Sequence, residues 1–194
     1  MITLEQLRTI MPFAGPRAAI YLDALNLTMQ EFGIDTPARA GMFLANLAHE
    51  SGSLRWTREI ASGTAYDKRA DLGNTKPDAI VIAGQHGSTP GPWWRGGGFG
   101  QITGYNNYRQ LSADLYGDPE LLLHHPELLE LPLDACRSAG WFWRRNGLAA
   151  FADAGDFDGV CDLWNKGHKT TTIGDANGYD DRASAWIRAQ KVLR

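Results

Sequence analysis

The chain is poor in several things at once. Only two cysteines, Cys136 and Cys161, occur in 194 residues, so no disulfide framework is available. No CxxC or Cys/His cluster points to a zinc site. The two thiols are expected to be buried and free. Charge is not segregated: 19 Lys and Arg against 22 Asp and Glu give −3, without the basic footprint of a nucleic-acid binder. No apolar run approaches the length of a bilayer span, so stable membrane insertion is not expected. The N-terminus, Met1-Ile2-Thr3-Leu4-Glu5-Gln6, lacks the basic and apolar regions of a secretory signal, which implies a protein made in the cytoplasm. A monomer is expected.

What the chain has is apolar content and aromatics. At 43% hydrophobic it can build a core without staples, and its length suits one catalytic domain over residues 1–194, with no separate wall-binding module. Seven Trp, seven Phe and six Tyr exceed what a small core needs, and sugar rings stack on such faces. The punctuation is helical. Thr3 with Gln6 makes a capping box ahead of residues 4–11. Pro16 opens a helix over 18–32, closed by Gly33. Thr36-Pro37 opens another that buries Phe43, Leu44 and Leu47 and stops at Gly52. From Ala61 to Tyr108 the sequence is rich in Gly, Pro and Thr and reads as a long functional loop. Helical pattern resumes after Asp118-Pro119, with segments near 119–123 and 126–129 and helices from Pro132 to Gly147, over 156–164 and over 180–193. The fold class is all-α.

Glu50 closes the Phe43–Leu47 helix. The negative end of the macrodipole and the apolar character of that helix both disfavour a charged carboxylate, so a raised pKa is expected. Glu59, nine positions on, lies in a polar stretch with Arg55 and Arg58 and is expected to stay ionised. One protonated acid and one carboxylate are what glycosidic cleavage uses. Two glutamates at this spacing are no signature alone. The loop Trp93-Trp94-Arg95-Gly96-Gly97-Gly98-Phe99-Gly100-Gln101-Ile102-Thr103-Gly104 adds to them. Its glycines admit close backbone approach, and Gln101, Thr103 and Asn107 supply fixed polar groups. It lacks the GxxxxGK[ST] pattern of a phosphate loop, and His49-Glu50 lacks the HExxH of a metalloprotease. The Asp153, Asp156, Asp158 cluster lacks EF-hand spacing and reads as a helix cap.

Together, His49-Glu50-Ser51-Gly52, Glu59-Ile60-Ala61-Ser62-Gly63, Ala65-Tyr66, Asp71-Leu72-Gly73-Asn74-Thr75, Gln101-Ile102-Thr103-Gly104, Asn107-Tyr108, Trp164-Asn165-Lys166-Gly167 and Asp181-Arg182 resemble family 19 glycoside hydrolases. The nearest branch is the chitinase-like endolysins of phages and prophages. The resemblance spans about residues 40–193. It implies a lysozyme-like, two-lobed α fold with a deep substrate cleft and no metal or organic cofactor. It implies Glu50 as general acid, Glu59 as general base and Thr103 as the hydroxyl that helps hold the attacking water. Gln101, Asn107 and Asn165 are implied sugar-binding groups, Tyr66 a cleft-lining residue, and Arg182 the cation that orients the carboxylates.

Two departures stand out. The family loop usually reads Gly-Arg-Gly before the Gln, whereas Gly97 occupies the middle position here, with Arg95 the candidate to replace the missing arginine. The segment Pro77–Trp93 is longer than the usual link and is expected to add a flap. The expected function is an endolysin that hydrolyses β-1,4 bonds of peptidoglycan glycan strands as a muramidase. It would accumulate in the host cytoplasm and reach the wall through a holin. A chitinase with the same layout, an interbacterial toxin with the same chemistry and an inactive glycan-binding protein remain open.

Overall fold

The computed structural model describes all 194 residues, and they divide into two compact units. The first comprises Met1–Arg55 and Ala139–Arg194, the second Trp56–Ser138. The regular structure of the chain is helical. Extended pairing is limited to two single antiparallel bridges, Arg58 with Gly97 and Gly97 with Ile102. No helix is long and apolar enough to cross a membrane.

In the first unit the local signals operate as their chemistry dictates. Helix α1 (Leu4–Ile10) starts on a full capping box: Gln6 N donates to Thr3 Oγ1 at 3.2 Å and Thr3 N donates to Gln6 Oε1 at 2.8 Å. Helix α2 (Arg17–Glu31) follows Pro16 and ends before Gly33. Helix α3 (Pro37–Glu50) is capped by Thr36, whose hydroxyl accepts from Arg39 N at 3.2 Å. It is buried over nine consecutive residues, Ala40–Ala48, and so forms the core of the unit rather than a face of it. Phe43, Trp143 and Trp164 meet around it, with Phe43 edge-on to Trp143 at 5.7 Å. Gly41 admits the ring of Trp186, which a Cβ there would strike. The unit also holds α9 (Leu148–Asp153), α10 (Phe157–Lys166), capped by Asp156 through Gly159 N at 2.8 Å, and α11 (Tyr179–Val192), which packs along α3.

The second unit departs from the long-loop expectation. It contains α4 (Pro77–Gln85), α5 (Pro90–Trp93) and α6 (Tyr105–Tyr116), then α7 (Leu121–His124). The boundary between the two units falls within α8 (Pro132–Arg145). The period of α4 is blurred because Ile80 and Val81 are exposed while Ala79, Ile82 and Ala83 are buried, so apolar residues cover both faces. The start of α6 carries no capping side chain, and its inner stripe mixes Tyr105 and Tyr108 with Leu111 and Ser112. The segment Pro77–Trp93 is therefore two short helices.

Burial pushes the thiols of Cys136 and Cys161 up, the latter to about 12. Burial also raises Tyr66, Tyr105, Tyr108, Tyr116 and Tyr179. Groups with raised native values contribute stability that is complete below their unfolded values, 9.0 for Cys and 10.0 for Tyr, and is lost as pH rises toward the native ones. The melting temperature is expected to fall progressively above about pH 9, and phenolate absorbance to rise together with unfolding. Phenolate appearing in the folded protein at the free-tyrosine value would contradict this.

Candidate active site

In the first unit, α3 delivers Glu50 at its C-terminal end and α11 delivers Arg182 in its first turn. Arg182 is fully buried, and each nitrogen of its guanidinium has a partner. Nε donates to Asn177 O at 3.0 Å, Nη1 donates to Asn46 Oδ1 at 2.8 Å, and Nη2 donates to Glu50 Oε1. A planar cation with a fixed fork holds a carboxylate in one orientation, which the single ammonium of a lysine does not do. Glu50 is only half-buried, so the pair joins a buried cation to an accessible acid. Beside it, His49 Nδ1 lies 2.9 Å from Asp181 Oδ2. Gly178 (φ +67°) makes this possible, since a Cβ there would run into the His49 ring. Asn165 Oδ1 accepts from Asn177 N at 2.9 Å and so fixes the residue whose carbonyl receives Arg182.

The second unit holds Glu59 by a different device. Its backbone N donates to Gly96 O at 2.8 Å, and Gly96 N donates back to Glu59 Oε2 at 3.1 Å. Tyr66 Oη donates to the other oxygen, Oε1, at 2.9 Å. The Tyr66 phenol is raised by burial first and by this hydrogen bond to Glu59 second, so it stays a neutral donor through the physiological range. Gly96 is required by proximity: a Cβ would stand 3.2 Å from Glu59 Cβ and closer still to Gln101 Oε1. Arg95 Nε donates to Glu59 O at 3.2 Å. Arg58, by contrast, is turned away to Glu130 Oε1 (2.9 Å) and Trp93 O.

Gly97 is enclosed. A Cβ at this position would collide with the Tyr108 hydroxyl, which donates to Arg95 O at 2.9 Å, and would crowd Leu129. Tyr108 is fully buried and cannot swing aside, so this backbone has no room for an arginine at 97. Gln101 adopts φ +48°, a region that costs a non-glycine residue of order 1 kcal/mol and concentrates at binding sites. Its side chain donates to Gly98 O at 3.1 Å. Thr103 Oγ1 donates to Gln101 O at 3.0 Å, which leaves its lone pairs free to accept from a water. Asn107 Nδ2 donates to Thr103 O at 2.9 Å, leaving its oxygen for a ligand.

The structure thus brings Glu50 and Arg182 together in one unit, with Asn165 linked to Arg182 through Asn177. In the other it brings together Glu59 and Tyr66, and it strings Gln101, Thr103 and Asn107 along one loop. Sequence reasoning missed Asn46 and Asn177. Asn46 was legible in principle, as a polar residue four positions before Glu50 in an otherwise apolar helix. Asn177 acts through its backbone carbonyl and left no signal.

No protein-family model matches the chain. Among solved structures it is similar to chitinase C from Streptomyces griseus, with a TM-score of 0.70 and 20% identity over 99% of this chain and 76% of that one. A glutamate-to-glutamine mutant of chitinase C matches with the same figures. The likeness covers both units, and the chain has the chitinase C fold.

Two stability outcomes follow from this geometry. Arg182→Ala leaves Glu50 and Asn46 without their donor and is expected to cost about 3–5 kcal/mol in denaturant unfolding; a loss below about 1 kcal/mol would show that the fork is not structural. Gly97→Ala is expected to cost about 1–3 kcal/mol by overpacking. Adding Tyr108→Phe should recover part of that loss in the same measurement, because it removes the oxygen the new methyl meets.

Proposed function

We propose that the protein is a glycoside hydrolase that cuts β-1,4 bonds of peptidoglycan glycan strands with inversion, acting as a muramidase-type endolysin. The observation that carries this reading is a pair of separately held carboxylates, Glu50 on a buried guanidinium and Glu59 on a phenol and a backbone N–H, in a chain with the chitinase C fold. In this reading Glu50 gives its proton to the leaving glycosidic oxygen. Arg182 then stabilises the anion that remains. Glu59 removes a proton from a water that accepts further support from Thr103, and the water attacks the anomeric carbon from the opposite face. One proton leaves Glu50 and one arrives at Glu59, so exchange with solvent resets the pair. Gln101, Asn107 and Asn165 bind sugar hydroxyls and amides, and Tyr66 keeps Glu59 oriented. Lysis of a bacterial host, with accumulation in its cytoplasm and release to the wall through a holin, belongs to the same proposal.

A chitinase reading is favoured by one observation, the likeness to chitinase C. Purified peptidoglycan and chitooligosaccharides assayed side by side separate the two, and mass spectrometry of the released reducing ends identifies the bond. Strong chitin cleavage with intact peptidoglycan decides for the chitinase.

Glu59→Gln is expected to lower turnover about 10²–10⁴-fold while leaving the melting temperature close to wild type, and Glu50→Gln to lower turnover similarly together with the melting temperature, because it removes the counter-charge of buried Arg182. NMR of the fresh products should show the inverted anomer. Retention of configuration, or mutants that clear cell walls as fast as wild type, would sink the mechanism.

A further inference from the structure

The first unit holds one loop by side chains rather than by burial. Residues 167–178 join α10 to α11 without regular structure, and of them only Ala176 is buried. Ile173, the one bulky apolar residue among them, is 80% exposed. With so little apolar anchoring, the loop depends on polar contacts for its place.

Those contacts come from one face of α10. Asp158, Asp162 and Asn165 stand at i, i+4 and i+7, and each accepts a backbone N–H of the loop. Asp158 Oδ1 accepts from Gly174 N at 2.8 Å, Asp162 Oδ2 from Thr170 N at 2.9 Å and Asn165 Oδ1 from Asn177 N at 2.9 Å. Their settings differ. Asn165 is exposed, and Asp158 gives its other oxygen to Lys169 Nζ at 2.8 Å. Asp162 is fully buried, and its Oδ2 also stands 3.1 Å from the Thr170 hydroxyl. Its Oδ1 has no hydrogen-bond partner; Lys166 Nζ lies 3.9 Å away and pairs more closely with Asp175. A carboxylate taken out of water is unfavourable unless hydrogen bonds offset the loss. Those of Asp162 all go to Thr170.

The loop ends beside the acid. Asn177 O receives Arg182 Nε at 3.0 Å, and Arg182 Nη2 donates to Glu50. We propose that Asp162 is a positioning residue for Glu50. It fastens the loop to α10, so that Asn177 keeps its carbonyl on Arg182 and Arg182 keeps the carboxyl of Glu50 in one orientation. Asp162 acts only through Thr170, Asn177 and Arg182, never on the substrate. The proposal rests on the hydrolase reading of Glu50 and is indifferent to which glycan is cut.

The test compares the full chain with Asp162→Ala, Asp162→Asn and Thr170→Pro. Alanine removes the acceptor, whereas asparagine keeps the single oxygen that Thr170 uses. Proline removes the N–H at the other end of the same bond and carries the test if Asp162→Ala does not fold. Leu25→Ala, at a fully buried position of α2, controls for general destabilisation. Two quantities are measured: steady-state kinetics on the glycan that wild type cuts, and hydrogen exchange of the Arg182 Nε–H by nitrogen-15 NMR. Asp162→Ala and Thr170→Pro should lower kcat about 10–100-fold with KM within about twofold of wild type. Both should speed the exchange at least about tenfold, because the bond to Asn177 O opens. Asp162→Asn should bring kcat and exchange back near wild type, and Leu25→Ala should leave both there despite a lower melting temperature. Unchanged exchange or unchanged kcat in Asp162→Ala and Thr170→Pro, asparagine behaving as alanine, or equal losses in Leu25→Ala would each overturn the role. If wild type cuts neither peptidoglycan nor chitooligosaccharides, the hydrolase reading fails, and the exchange rates alone then decide whether Asp162 fastens the loop to Arg182.

Discussion

A buried guanidinium needs partners for its nitrogens, and at Arg182 each of the three has one. Its three partners come from two places in the chain: the Asn46 amide and the Glu50 carboxylate, one turn apart on α3, and the Asn177 carbonyl in the turn before α11. A buried cation with a missing partner is strongly unfavourable. The packing of α11 along α3 and the orientation of Glu50 are therefore set together. Asn165 extends the same constraint by holding Asn177, so the loop ahead of α11 is tied to the acid through two hydrogen bonds.

Glu59 is held by other means. Its oxygens are met by a backbone N–H and a phenol, neither of which brings a charge. One carboxylate thus faces a full positive charge and the other faces dipoles. The glycine-rich loop contributes closeness rather than flexibility: Gly96 lets its backbone touch Glu59, and Gly97 lets Tyr108 close over Arg95.

Much of the first unit was legible in the sequence, because its signals are local. The Thr3–Gln6 box, the Thr36-Pro37 start and the Asp156 cap each depend on residues within four positions of one another. Glu50 and Arg182 were legible through the motif resemblance. The second unit hid its helices. The start of α6 follows Gly104 at φ +86° with no side-chain cap, and α4 is apolar on both faces, so neither shows a clean stripe. The donor role of Tyr66 and the carbonyl role of Asn177 were not legible, since both depend on where distant backbone arrives. The thiols of Cys136 and Cys161 turned out buried and free, as small apolar side chains in helices are.

The enclosure of Gly97 by Tyr108 has a historical side. Two positions that pack so tightly cannot change independently. A lineage that holds glycine at 97 can let a full-sized phenol settle over it, and once that phenol is buried the return to a larger residue is closed unless position 108 changes first. The order of substitutions then matters, and single replacements tried on this background measure the neighbour as much as the residue replaced. What position 97 can hold is thus conditional on a side chain eleven positions away.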